Sequence, residues 1–267
     1  MTVLARLGIG ATLAAAVGIA GVRARALTIS GAVAAAAIGM VAVAAGWEWA
    51  ALLIAYFVAA MLLSRFGRAT KRTRTGGVIE KSGARDATQV AANGGSFAVC
   101  LIISSHWSYT GPWIVAAVGA LAASSADTWA TEIGTLIGKT PRSILNWRPV
   151  AVGMSGGITL AGSAGAVLGA TYVATMAWVL ALPVGSTSIV IAGIAGAMAD
   201  SLLGATAQRR QWCASCQRVT EMRVHDCGTE TTRIGGISWI ENDMVNLLAT
   251  IVGSLIAFTL ATTGLKL

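Results

Sequence analysis

Residues 112–134 read PWIVAAVGALAASSADTWATEIG: an apolar run from Pro112 that ends among Ser124, Ser125, Asp127, Glu132 and Gly134. Its first half is what a helix needs to cross a hydrocarbon core of roughly 30 Å. Its second half is what lipid alone rejects, because a carboxylate at such depth is costly unless it is paired, hydrated or bound to metal. A helix with both halves belongs inside a bundle of other membrane helices, its polar end gathered with polar partners.

Working outward, the rest of the chain supplies those neighbours. Apolar blocks suited to crossing run over Val3–Val22, Leu27–Gly46, Trp47–Phe66, Ala91–Trp107, Pro112–Gly134, Val150–Leu182, Ser188–Ala207 and Asn242–Thr263. With 55% hydrophobic and 11% charged residues, the 267-residue chain has too little polar surface to cover a soluble globule. The expected fold is therefore all-α: a polytopic transmembrane bundle of about seven or eight spans, forming one domain over 1–267. The first block, in which Arg6 precedes an apolar run rich in alanine and glycine, has the form of a secretory signal. It is longer than a usual signal core and further spans follow at once, so it is expected to be retained.

Charge tests the count. With the N-terminus outside, one face receives Arg23, Arg25, the run from Arg65 through Lys71, Arg72 and Arg74 to Arg85, then Lys139, Arg142, Arg148, Arg209, Arg210, Arg218, Arg223 and Arg233. Only Arg6 and Lys266 fall opposite, and the loops His106–Gly111 and Pro183–Thr187 have no Lys or Arg. That is the positive-inside pattern of a multi-pass protein of the cell membrane, with cytoplasmic loops at 66–90 (basic) and 208–240 (rich in cysteine). The net charge of +8 thus needs no nucleic-acid partner; topology explains it, with anionic lipid or phosphate as a second use.

Under this orientation Gln89, Asn93, Ser124, Ser125, Asp127, Glu132, Asp200, Asn242, Asp243 and Asn246 all lie toward the cytoplasmic ends of their helices. Asp127 and Thr131 share a helix face, as do Ser124 and Thr128. Glu241 and Asp243 also have a simple structural use, favouring the dipole at the start of the last helix. Hard oxygen ligands beside Arg85, Arg148 and Lys81 are what magnesium and a phosphorylated substrate require. The same carboxylates would alternatively carry protons or cations through a transporter or lipid flippase. A third reading is a scaffold with an interaction loop.

Gly157, Ala161, Gly165 and Gly169 recur every four residues, a face on which a neighbouring helix can come close. GMSGG, Gly153–Gly157, would turn backbone N–H groups toward an anion. GTLIGKT at Gly134–Thr140 falls one residue short of a phosphate-binding P-loop and follows a helix rather than a strand, so it is discounted. Cys213, Cys216, His225 and Cys227 offer ligands for one tetrahedral zinc; a disulfide and free thiols are the alternatives, and a reducing compartment favours zinc. Cys100, inside a span, reads as a small core residue.

Taken in order, GVIEKSGARDATQVAANGG, ASSADTWATEIG, NWRPVAVGMSGGITLAGSAGAVLGA, AGAMADSLLGATAQ and ENDMVNLLATIVGS resemble the integral membrane family, long held as a domain of unknown function, that contains plant and cyanobacterial phytyl-phosphate kinase. The resemblance runs from Gly77 to Ser254. It implies an isoprenoid-phosphate kinase making a prenyl diphosphate from the monophosphate and a nucleoside triphosphate. Asp127, Asp200 and Asp243 would then hold Mg2+, and Glu132 would support the metal or orient the acceptor. Arg85, Gln89, Asn93, Ser124, Arg148, Gly156, Gly157, Asn242 and Asn246 would bind substrate, the prenyl chain lying between helices. The family's proline-then-glycine loop corresponds to Pro149, Gly153, Gly156 and Gly157.

Overall fold

A computed structural model of the chain describes residues 3–78, 83–106 and 110–263, with side chains from Gly8 onward. The expectations for Lys81 and Lys266 fall outside the described residues, and of Arg6 only the helical backbone is described. Among those described, the helices are α1 (Val3–Arg23), α2 (Ile29–Ala45), α3 (Trp47–Arg65), α4 (Arg68–Thr75), α5 (Ala87–His106), α6 (Thr110–Ile137), α7 (Leu160–Val179), α8 (Ser186–Thr206) and α9 (Asn242–Thr262). The strands are β1 (Arg142–Ser143), β2 (Gly157–Ile158), β3 (Arg210–Cys213), β4 (Arg218–Thr220) and β5 (Thr232–Gly235). The fold is the all-α membrane bundle expected.

Five of the helices, α3, α5, α7, α8 and α9, are long and apolar enough on their own to cross a bilayer, while α1 and α2 offer shorter apolar stretches. The helix read first, α6, is not in that set. It runs 28 residues, and its run from Val115 to Ala126 is buried without a break. Neighbouring helices rather than lipid cover it: α5, α7, α8 and α9 pack around it, with α3 and α4 at its flank, while α2 lies further out against α5 and α1 packs on α2.

Small residues set how closely these helices approach. A Cβ at Gly165 would stand 2.6 Å from the Trp129 carbonyl oxygen, and one at Gly169 would stand 2.6 Å from that of Ser125. The stripe facing α6 is Gly162, Gly165, Ala166, Gly169 and Ala170, all buried. Of the expected series Gly165 and Gly169 lie on this stripe, whereas Gly157 precedes the helix and Ala161 is only half-buried, its place taken by Gly162.

Local chemistry explains the other departures. The block expected over Val150–Leu182 becomes helical only at Leu160. Gly153 (φ 89°) and Gly156 (φ 78°) take left-handed conformations that no α-helix continues through. The segment instead closes the β1–β2 hairpin, pairing Arg142 with Ile158 and Ser143 with Gly157, and Thr159 caps α7 by accepting from Gly162 N at 2.9 Å. Conversely, α5 starts before Ala91. Asp86 Oδ1 accepts from Gln89 N at 3.0 Å while Gln89 Oε1 accepts from Asp86 N at 3.1 Å, a reciprocal cap that begins the helix at Ala87. The 66–90 segment contains α4, and 208–240 contains a three-stranded antiparallel sheet of order β4-β3-β5.

Segments 24–28, 66–78, 83–86, 138–159 and 207–241 meet on one side of the bundle. Thr28 N donates to Arg85 O (3.0 Å), Arg74 Nη1 to Leu136 O (2.7 Å), Glu221 N to Val78 O (3.0 Å) and Ser155 N to Glu221 Oε1 (2.9 Å). The polar helix ends therefore share one face, as the charge pattern required.

Candidate active site

Two carboxylates anchor the site. Asp127, about two-thirds of the way along α6, and Asp200, in the last turns of α8, are half-buried, and their carboxyl groups lie within hydrogen-bonding reach of one another. Asp200 Oδ2 is buried and has no hydrogen-bond partner among the described residues. Two carboxylates this close repel unless a proton or a cation lies between them, and an unshared buried oxygen is a vacant ligand for either.

A third acid approaches from a direction that sequence reasoning missed. Glu221, buried just after β4, is close enough for its charge to act on Asp200. Its Oε1 accepts from Ser155 N at 2.9 Å and its Oε2 from Gln208 Nε2 at 2.9 Å. Within GMSGG, then, the Ser155 N–H is engaged by the protein's own carboxylate. Glu221 escaped notice because it sits in the cysteine loop, where the soft ligands drew the eye.

Beside the pair runs a polar relay. Ser124 Oγ donates to Asn93 Oδ1 (2.7 Å), so Tyr56 OH, 2.7 Å from the same Oγ, is the donor to it; Asn93 Nδ2 donates to Gln89 O at 2.8 Å. Tyr56 also lies within range of the charges of Arg85 and Asp127. It too was missed, although a lone tyrosine inside the span WEWAALLIAYFVAAMLLSR was a signal. Tyr56, Arg85, Gln89 and Asn93 form the polar end of a cavity of about 270 Å³ whose remaining lining is apolar, from Leu13, Val17, Ile38, Val43, Ile54 and Phe57 among others on α1, α2 and α3.

The remaining expected residues are elsewhere. Glu132, about one and a half turns beyond Asp127, forms an ion pair with Lys71 of α4, whose Nζ also donates to Leu63 O (2.8 Å) and Ser64 O (3.1 Å) at the end of α3. Asp243 Oδ2 is 2.8 Å from Thr88 Oγ1, which is also 2.7 Å from Asp86 Oδ1, tying the start of α9 to that of α5. Asn242 is exposed, Asn246 is half-buried, and Arg148 is exposed beyond the β1 strand. The Gly157 N–H is engaged, donating to Met154 O at 3.1 Å, and Gly156 lies against Ala205. Glu241 precedes α9 and binds Arg209 Nη1 at 2.6 Å as well as Arg223. Burial would raise its pKa, but the hydrogen bonds and charges of the two arginines outweigh that and hold it below the ordinary carboxylate range.

The cysteine loop gathers its own cluster. Cys213, Cys216, His225 and Cys227 bring their ligand atoms within 4.8 Å of one another. Hydrogen bonds from the Thr229 hydroxyl and backbone and from His225 lower Cys227 to about 6, whereas its bond with Cys227 raises Cys216 to about 11.

No solved structure matches the chain. Protein PGR of Arabidopsis thaliana is 26% identical over 256 residues, covering 86% of this chain and 87% of its own. An uncharacterized membrane protein of Methanocaldococcus jannaschii is 27% identical over 215 residues, covering 79% and 75%. The family model described as integral membrane protein DUF92 matches residues 12–254, most of the chain, so this protein belongs to the DUF92 family of integral membrane proteins.

Proposed function

We propose that the protein is a phosphotransferase that converts an isoprenoid monophosphate to the diphosphate at the cytoplasmic face of the cell membrane. The observation that carries this reading is an apolar cavity that ends in Arg85, Gln89, Asn93 and Tyr56, the last bonded to Ser124 of α6 and within electrostatic range of Asp127 of the acidic pair. A prenyl chain suits the apolar part, which at about 270 Å³ is just under the roughly 300 Å³ at which ligand pockets begin. The phosphate of such a lipid suits Arg85 at the polar end. Cytoplasmic orientation follows from the basic residues of the loops on the site's side.

Asp127 and Asp200 fit magnesium: their oxygens are hard and mutually close, Asp200 Oδ2 has no partner among the described residues, and Glu221 adds negative charge near Asp200. Bound there, magnesium would neutralise charge on the phosphates of a nucleoside triphosphate. The chain's own task is alignment. An oxygen of the lipid phosphate forms a bond to the γ-phosphorus as the bond from that phosphorus to the β–γ bridging oxygen breaks, and the nucleoside diphosphate leaves with that oxygen. The attacking oxygen is already ionised, so no general base is needed; Arg85 holds it while Gln89 and Asn93 fix the headgroup. The Tyr56–Ser124–Asn93 relay keeps the Asn93 amide oriented.

Detergent-solubilised protein supplied with magnesium, each of CTP, ATP, GTP and UTP, and prenyl monophosphates of several lengths should form the diphosphate with at least one pair. No turnover with any pair, or movement of the lipid phosphate across liposomes without triphosphate, would overturn the proposal in favour of a transporter.

A further inference from the structure

The Cys/His loop is an odd piece of structure for its size. Between Gln208 and Ile240 it folds into a sheet, yet Val224, Ile234, Ile237 and Trp239 are exposed, and Cys213 and Thr220 are its most buried side chains. A segment this small, with so little apolar burial, normally needs a covalent or metal staple.

The ligand geometry identifies which. Cys213 ends β3 and Cys216 lies in the turn to β4, where Gln217 takes φ 50°. His225 and Cys227 sit on a second tight turn closed by Gly228 N donating to His225 O at 2.8 Å, with Gly228 at φ 82°. The two turns face each other. Cys213 Sγ is 3.6 Å from Cys227 Sγ, and His225 Nδ1 is 3.2 Å from that same sulfur. A tetrahedral zinc with Zn–S of about 2.3 Å and Zn–N of about 2.0 Å sets its ligand atoms roughly 3.5–3.8 Å apart. A disulfide would need sulfurs about 2.05 Å apart. The other imidazole nitrogen, Nε2, is buried without a partner among the described residues and lies over Gly77, where a Cβ would stand 2.8 Å from it. Nδ1 is thus the nitrogen turned to the sulfurs.

We infer that Cys213, Cys216, His225 and Cys227 hold one structural zinc ion, and that this ion fastens the loop as a cap over the acidic pair. The ion's grip on the end of β3 and on the turns either side of β4 fixes the residues that dock the loop. Arg218 Nη1 donates to Gly76 O (2.9 Å), Thr220 Oγ1 to Gly77 O (2.7 Å) and Glu221 N to Val78 O (3.0 Å). Glu221, the next residue after β4, then reaches Ser155 N and Gln208 and stands beside Asp200. Zinc binding displaces the thiol protons to the buffer, so loading is weakened by acid. The zinc assignment is independent of phosphotransfer; only the consequence for turnover rests on the reading above.

Full-length protein purified from zinc-supplemented cells should contain one zinc per chain by elemental analysis. Cobalt exchanged into it should give the visible bands and thiolate charge-transfer absorption of a tetrahedral thiolate site. Cys213→Ser and Cys227→Ser should each lose the metal, while Cys100→Ser keeps it. Chelation should raise hydrogen exchange in 76–78, 153–157 and 208–240 by tenfold or more. Protein without zinc or cobalt signature, or with a Cys213–Cys227 or other disulfide by mass, would overturn the site. Bound zinc whose removal leaves exchange in 76–78 and 153–157 unchanged would overturn the cap. Should the serine variants not fold, the cobalt spectrum and chelation of the unaltered protein decide the matter. Failure of the kinase assay leaves each of these readouts intact.

Discussion

The acidic pair and the Cys/His cluster are built by opposite routes. The cluster draws its four ligands from a single stretch, residues 213–227, on two turns of one small sheet. The acidic pair draws Asp127 from α6 and Asp200 from α8, with Glu221 arriving from the sheet. One is assembled by local chain geometry and the other by helix packing. They meet in Glu221, whose position is set by the first and whose charge acts in the second.

If that division holds, substitutions should separate cleanly. The largest effect is expected at the pair: Asp127→Asn and Asp200→Asn should each lower turnover about a hundredfold or more while leaving the thermal midpoint within a few degrees. A collapse of folding instead would make the pair structural. Glu132→Gln should do the reverse. Lys71 is buried, and removing its partner leaves a charge without compensation, so a loss of roughly 3 kcal/mol is expected in denaturant or thermal unfolding. Turnover per folded molecule should stay within severalfold; a fall as deep as that of Asp127→Asn would restore Glu132 to the site.

Gly169→Val should destabilise by about 1–3 kcal/mol, because side-chain atoms would be forced onto the Ser125 carbonyl oxygen. Glu221→Gln tests the meeting point itself. It keeps a hydrogen-bonding group toward Ser155 and removes the charge near Asp200, so turnover should change about tenfold with zinc content unaltered. Coincident loss of zinc would mean the two clusters are one. The smallest effect is expected at Glu241. Its pKa is lowered in the folded state, so the stability it supplies is present above the ordinary glutamate range and is lost as pH falls through the folded value. Glu241→Gln should therefore melt slightly below the parent at pH 7, and the gap should close as pH falls below the ordinary glutamate range.

The sequence was informative in proportion to how local each feature is. Four soft ligands with C-x-x-C and H-x-C spacing announced themselves, and so did the helices, through apolar length and the one-sided distribution of arginine. The convergence of polar helix ends followed from topology alone. What spacing does not carry is which polar residues meet. Asp127 and Asp200 lie together, whereas Glu132, on the same helix as Asp127, points to Lys71, since five positions turn a side chain well around the cylinder. Glu221 and Tyr56 were hidden for the same reason, their roles being fixed by partners far along the chain. The GMSGG loop was legible as an interruption only once Gly153 and Gly156 were seen in left-handed conformations.

The backbone contacts around α6 have a mechanical consequence. A Cβ at Gly119 would be 2.8 Å from the Gly253 carbonyl oxygen of α9, and the reciprocal distance is also 2.8 Å, so α6 is wedged main chain to main chain on that side as it is against α7. A helix gripped in this way can neither rotate nor slide without lifting its neighbours. Asp127 is accordingly carried on a fixed post. The cavity wall formed by α1, α2 and α3 lies away from this wedge, so if the cavity admits a lipid, a cross-link between α1 and α3 should stall its entry while one between α6 and α9 should pass unnoticed.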